Sequence, residues 1–176
     1  MIKPPPTREL PDAEAALASL AATMREGIAP DAKLVGIYSG GAWLAERLSE
    51  VLPGEHAVGY IDVSFYRDDY GKKGLRTRVE TTTLPFEVAG NRIVLIDDVL
   101  FTGRSVRAAI NELFDYGRPE SIELAVLVDR GGRELPIEAK YVGASVSIPP
   151  ERSIVLSRHL DGSLELSIEG DTSPAR

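Results

Sequence analysis

The chain has 176 residues, 43% of them hydrophobic and 27% charged, with a formal net charge of −7 and a pI of about 4.9. That length holds one domain with a sizeable core, and the composition excludes a disordered chain or a fibre. The acidic balance argues against bulk nucleic-acid binding through net field, and the absence of cysteine excludes disulfides and thiolate metal sites.

The opening MIKPPPTREL has no apolar run of signal-peptide length, and no segment is long and apolar enough to span a bilayer, so a soluble, cytoplasmic protein is expected. Pro4, Pro5 and Pro6 deny a helix and mark residues 1–10 as a flexible arm. Pro11 and Asp12 then precede a helix with Leu17, Leu20, Ala21 and Met24 at helical spacing, ending near Gly27. Leu34 to Tyr38 reads as a short buried strand, broken by Gly40 and Gly41 before AWLAERLSEVL resumes a helical period.

A further strand is expected from Val58 to Tyr66. From Arg67 to Leu84 the pattern stops in a long polar stretch, of the kind that is uncommon unless it serves a function or is disordered. Arg92 to Ile96 is an apolar run typical of a central parallel strand. A helix follows from about Thr102 to Tyr116, with Val106, Ala109, Ile110 and Leu113 on one face, Gly117 as its cap and Pro119 beyond. Ser121 to Asp129 and Ala139 to Gly143 are two more strands. Asp161-Gly162 lies between two alternating runs and predicts a C-terminal hairpin, after which residues 170–176 form a loose tail. With no repeat and no linker, residues 1–176 are read as one domain.

The sharpest chemical feature is IVLIDDVLFTGRS, Ile93 to Ser105. An apolar strand ends in Asp97 and Asp98, and the chain turns into a helix through Thr102, Gly103, Arg104 and Ser105. Such a bend offers backbone N–H groups, two hydroxyls and a helix N-terminus, which together cradle a phosphate. Gly103 lets the backbone approach it closely. Asp97 and Asp98 would repel that phosphate; they suit sugar hydroxyls, a cation or a developing positive charge.

This stretch resembles the signature of the type I phosphoribosyltransferases, in which paired acids hold the ribose hydroxyls and the turn holds the 5′-phosphate. SFYRDDYGKKG, LVGIYSGGAWLAERL and FTGRSVRAAINELFDYGRPESIELAVLVDRGGRELPIEAKYVG are similar to the PyrR branch, over roughly Leu34 to Gly143. The resemblance implies an α/β fold with a mainly parallel central sheet flanked by helices, a small hood and a C-terminal β-hairpin. It implies conversion of uracil and 5-phosphoribosyl pyrophosphate to UMP and pyrophosphate, with Mg2+ bound mainly through the pyrophosphate. A homo-oligomer is the expected assembly.

The resemblance places a pyrophosphate loop at Ser39, Gly40 and Gly41, where PyrR relatives usually carry Thr-Arg-Gly. The residues alone read equally as an ordinary strand-to-helix turn. It also implies a lid over the pyrophosphate, with Arg67, Lys72, Lys73 and Arg76 as candidate cations, although a solvated charge run explains them too. The base region falls at Val128, Asp129 and Arg130, with Gly132 standing where relatives usually have His. Arg133 and Glu134 read equally as part of that region or as a surface ion pair, His56 and His159 as incidental, and Trp43 as packing. RNA binding is the alternative activity of this branch. It finds little support in 20 basic against 27 acidic residues, and a phosphoribosyltransferase for another base is the third reading.

Overall fold

A computed structural model describes residues 7–63 and 81–170. Seven strands and three helices follow one another as α1 (Ala13–Arg25), β1 (Lys33–Ile37), α2 (Gly40–Val51), β2 (Val58–Ile61), β3 (Arg92–Leu100), α3 (Arg104–Tyr116), β4 (Ser121–Asp129), β5 (Tyr141–Ser145), β6 (Ser153–Arg158) and β7 (Leu164–Glu169). Five strands form a wholly parallel sheet in the order β2-β1-β3-β4-β5, and β6 and β7 form a separate antiparallel hairpin.

The order reverses between β1 and β3. In open parallel sheets a ligand crevice lies at such a switch point, outside the carboxyl ends of the strands. Here those ends lead into Ser39–Gly41 after β1 and into Asp97–Ser105 at and after β3.

Alternation along each strand divides the core into two layers. Val94 and Ile96 of β3 face α1 and α2, with Leu20, Met24, Leu44 and Leu48 packed against them. Ile93 and Leu95 face α3, with Val106, Ala109 and Leu113. α1 starts where Asp12 accepts a hydrogen bond from the Ala15 N–H at 2.8 Å, the cap that its sequence announces. At the far end of the chain Asp161 accepts from the Ser163 N–H and hydroxyl inside the expected Asp-Gly turn. Glu14 of α1 receives the Leu164 N–H at 2.9 Å and pairs with Arg47 of α2, so the hairpin is tied to the first helical layer.

Several boundaries differ from the sequence reading. β3 runs on through both acids to Leu100, because Val128 and Asp129 of β4 continue the ladder beside Val99 and Leu100. α3 starts at Arg104 rather than Thr102, since Gly103 takes φ +92°, outside helical geometry. β5 lies two residues later than expected, at Tyr141–Ser145. β2 is described only as Val58–Ile61, and the expected continuation past Val63 lies outside the described residues. In the N-terminal arm, Thr7 forms a parallel bridge with Val146, and its N–H donates to the Ser145 carbonyl at 3.0 Å.

Leu20 is fully buried in the layer between α1 and the sheet. Leu20→Ala is expected to lower unfolding stability by about 3 kcal/mol, from lost transfer energy plus the cavity left behind. Urea denaturation, read by far-UV circular dichroism, measures it.

Candidate active site

Two loops meet at the switch point, and they do so without side chains between them. A Cβ on Gly41 would lie 2.2 Å from the Ile96 carbonyl oxygen, and one on Gly40 would lie 2.5 Å from an Asp98 carboxylate oxygen. The N-terminus of α2 therefore packs directly on the end of β3. Ser39 occupies its cap position without a side-chain hydrogen bond to the helix, and the Tyr38–Ser39 peptide is cis.

The same alternation that divides the core parts the two acids. Asp97 follows Ile93 and Leu95 in register and lines the cleft ahead of α3, whereas Asp98 follows Val94 and Ile96 and sits against Gly40 of α2. Both are buried, at 3% and 8% exposure. The Asp98 N–H donates to Asp97 Oδ1 and the Val99 N–H to Asp98 Oδ1, each at 3.0 Å, so the carboxylates are oriented by the strand that carries them. Adjacent acids thus face two different neighbours, Asp97 the cleft ahead of α3 and Asp98 the N-terminus of α2.

Asp97, Leu100, Phe101, Thr102, Gly103, Arg104 and Ser105 line an open cleft, together with Arg130, Ser153 and Ile154. At its floor the helix N-terminus of α3 has no side-chain cap, since the cap residue is Gly103. The Arg104 N–H is 3.3 Å from the Thr102 hydroxyl. Backbone N–H groups, the Thr102 and Ser105 hydroxyls and the positive end of a helix dipole are together a set of groups that can receive an anion.

The segment after β4 braces this cradle from behind. The Glu134 and Leu135 N–H groups donate to the Thr102 carbonyl at 3.0 and 3.1 Å. Arg133 donates to the Phe101 carbonyl at 2.7 Å, to the Ile137 carbonyl at 3.1 Å and to Asp129 at 2.7 Å. The expected Arg133–Glu134 surface pair is not formed: Arg133 is drawn inward to the buried Asp129, and Glu134 pairs instead with Arg104 at 2.5 Å, where both side chains are about half exposed. Burial of an acid needs a partner, and Asp129 supplies the pull. This brace was not legible in the sequence, where only the i, i+4 spacing of Asp129 and Arg133 hinted at it.

Comparison with known proteins agrees with this geometry. Residues 8–154 match the family described as the phosphoribosyl transferase domain. A "Bifunctional protein PyrR" from Ralstonia nicotianae is 52% identical over 155 residues, covering 86% of this chain and 88% of the relative. One from Pseudomonas fluorescens is 44% identical over 161 residues, covering 89% and 96%. The chain belongs to the PyrR family of phosphoribosyltransferases. Among solved structures, a hypoxanthine-guanine phosphoribosyltransferase from Bacillus anthracis superposes with a TM-score of 0.62 at 16% identity, covering 86% of this chain and 88% of that one. The fold is that of the type I phosphoribosyltransferases.

The two departures from the usual PyrR pattern have physical correlates. A Cβ on Gly40 would meet the Asp98 carboxylate, so any side chain there requires Asp98 to shift. Gly132 has φ +73°, and a Cβ there would meet the Phe101 ring at 2.3 Å. Of the remaining residues singled out, Val128 and Asp129 are buried at the end of β4 and Arg130 borders the cleft. Arg67, Lys72, Lys73 and Arg76 lie outside the described residues. His56 bonds the Ala32 and Pro53 carbonyls, His159 pairs with Glu165 on the hairpin, and Trp43 packs under Arg158; none reaches the cleft.

Gly41→Ala inserts a methyl group where there is 2.2 Å to a carbonyl oxygen. It is expected to destabilise this PyrR-family fold by about 2 kcal/mol, as overpacking does. Gly90→Ala, facing open space but at φ +71°, reports backbone strain without a clash, whereas Gly41 has no positive φ, so the fall in its urea midpoint reports the clash itself.

Proposed function

We propose that the protein transfers the phosphoribosyl group of 5-phosphoribosyl pyrophosphate to uracil, giving UMP and pyrophosphate, in the cytoplasm. The observation that carries this reading is the convergence of three chemistries at one switch point: an anion cradle at Thr102–Ser105, buried Asp97 in the cleft, and an uncapped helix N-terminus at Ser39–Gly41 with Asp98 beside it.

In this reading the 5′-phosphate docks on Thr102, Gly103, Arg104 and Ser105, which fixes the sugar and converts the reaction into one between held partners. The anomeric C–O bond to pyrophosphate breaks as the C–N bond to uracil N1 forms, the N1 proton leaves to the departing pyrophosphate or water, and positive charge grows on the sugar ring between. Asp97 and Asp98, fixed by their own strand, favour that charge at no further reorganisation cost. Departing pyrophosphate meets the N–H groups of Ser39, Gly40 and Gly41 at the positive end of the α2 dipole. Uracil, small and neutral, is read largely by backbone groups near Val128–Arg130 and the facing hood.

No group of three or more metal-binding side chains exists among the described residues, and the acids at the site are Asp97 and Asp98. That donor set fits Mg2+ held mainly by substrate oxygens and water rather than by a protein cage. When bound there, Mg2+ neutralises the pyrophosphate and so improves it as a leaving group. Among the described residues no helix is long and apolar enough to cross a membrane.

Asp97→Asn and Asp98→Asn are each expected to lower kcat by at least about ten-fold in a folded protein, because the lost interaction acts mainly in the transition state. Steady-state turnover at saturating substrates measures this, and near-normal turnover in both variants would sink the assignment. Incubation with 5-phosphoribosyl pyrophosphate, Mg2+ and each of uracil, orotate, adenine, guanine, hypoxanthine and xanthine tests the base.

Regulation through RNA is proposed to be the lesser activity. Acidic residues outnumber basic ones by 27 to 20, and Arg47, Arg92, Arg104, Arg133, Lys140 and Arg158 are each engaged by a carboxylate. RNA binding draws on cations that are available to phosphates. With UMP present, mobility shifts on the leader transcript of its own pyrimidine genes are expected to show only weak binding at physiological salt. Sub-micromolar, sequence-dependent binding would overturn this.

A further inference from the structure

Arg130 is nearly buried, with 7% exposure, yet among the described residues no carboxylate pairs with it. Its neighbour Asp129 takes Arg133 instead. The Arg130 guanidinium carbon lies over the Phe101 ring, 4.0 Å from the centroid. One terminal nitrogen donates to the Arg152 carbonyl at 2.7 Å and the other to the Pro149 carbonyl at 3.1 Å, while Nε is buried without a partner. Burial holds its pKa below the usual arginine range.

These contacts bridge two walls of the cleft. Phe101 immediately precedes the anion cradle, and Pro149 to Arg152 form the turn that leads into β6, whose first residues, Ser153 and Ile154, are the part of the hairpin that lines the cleft. Ser153 and Ile154 are the hairpin residues that share the cleft with Asp97 and Thr102–Ser105. In the proposed site, with the phosphate at Thr102–Ser105 and the sugar beside Asp97, they face the base. The absence of a carboxylate partner fits this place: an acid here would repel the ligand's phosphate, whereas two carbonyls and an aromatic face satisfy the cation without adding negative charge.

We propose that Arg130 is a positioning residue for base recognition, which does not read the base itself but sets the distance between the phosphate cradle and the base-facing wall at Ser153–Ile154. It works as a strut. Its planar fork engages two carbonyls at once and stacks on the ring, a combination that a lysine ammonium cannot reproduce. Loss of the strut leaves the cradle intact, because Arg133, Glu134 and Leu135 brace that loop independently.

The inference rests on the proposed nucleotide site but not on catalysis or on which base is used, so its test is one of binding. Isothermal titration calorimetry compares ribose 5-phosphate with UMP and GMP, on the wild type, Arg130→Lys, Arg130→Gln and Phe101→Leu. For whichever nucleotide the wild type binds more tightly, the ratio of its affinity to that of ribose 5-phosphate is expected to fall by at least about five-fold in each variant. Ribose 5-phosphate affinity itself is expected to stay within about two-fold of wild type. A smaller fall in the ratio, or a parallel loss of both ligands, overturns the strut, since a merely structural defect moves both together. Phe101→Leu keeps an apolar side chain while removing the stacking face, and decides the matter if the Arg130 variants fail to fold. Tighter wild-type binding of GMP than of UMP refutes the uracil reading while the Arg130 proposal is still scored on GMP. Failure of the wild type to bind any of the three refutes both.

Discussion

Direct packing of the α2 N-terminus on the end of β3 is the constraint on which the site depends. A Cβ at Gly36 would lie 2.5 Å from the Gly41 carbonyl, and Gly41 in turn abuts the Ile96 carbonyl. Gly36 and Gly41 thus let a helix and two strands approach at backbone distance. The loop after β1 and the end of β3 are thereby held together at the point where the strand order reverses. The two acids then divide their labour by strand alternation alone.

Rigidity at the other side of the crevice has a different origin. The cradle at Thr102–Ser105 leaves its helix N-terminus uncapped, which costs stability unless an anion arrives. The protein offsets this by hydrogen-bonding the loop's carbonyls to the 130–137 segment, with Arg133 and Asp129 as a buried, charge-assisted pair at the centre. The hood is attached by a further set of bonds, from Glu14 to Leu164 and from Arg130 to the turn before β6.

Much of this was legible in the residues. The capped α1 at Asp12, the apolar run of β3, the Gly117 stop of α3 and the Asp161-Gly162 hairpin all follow from local chemistry, and all appear where the sequence puts them or nearly so. What local pattern could not supply was depth. Asp97 and Asp98 look like the end of a strand because carboxylates are polar, yet neighbouring β4 lengthens the ladder past them to Leu100. Arg133 and Glu134 look like a surface pair because they are adjacent, yet each finds its partner across a turn or from another element. The stacking of Arg130 on Phe101 joins residues far apart in the chain and has no sequence signal.

The contact between Gly40 and Asp98 ties the loop after β1 to an acid of β3. A side chain at position 40 requires the Asp98 carboxylate to shift, so any substitution at 40 is also felt at 98. Libraries that vary position 40 therefore probe the placement of Asp98 as much as the loop itself.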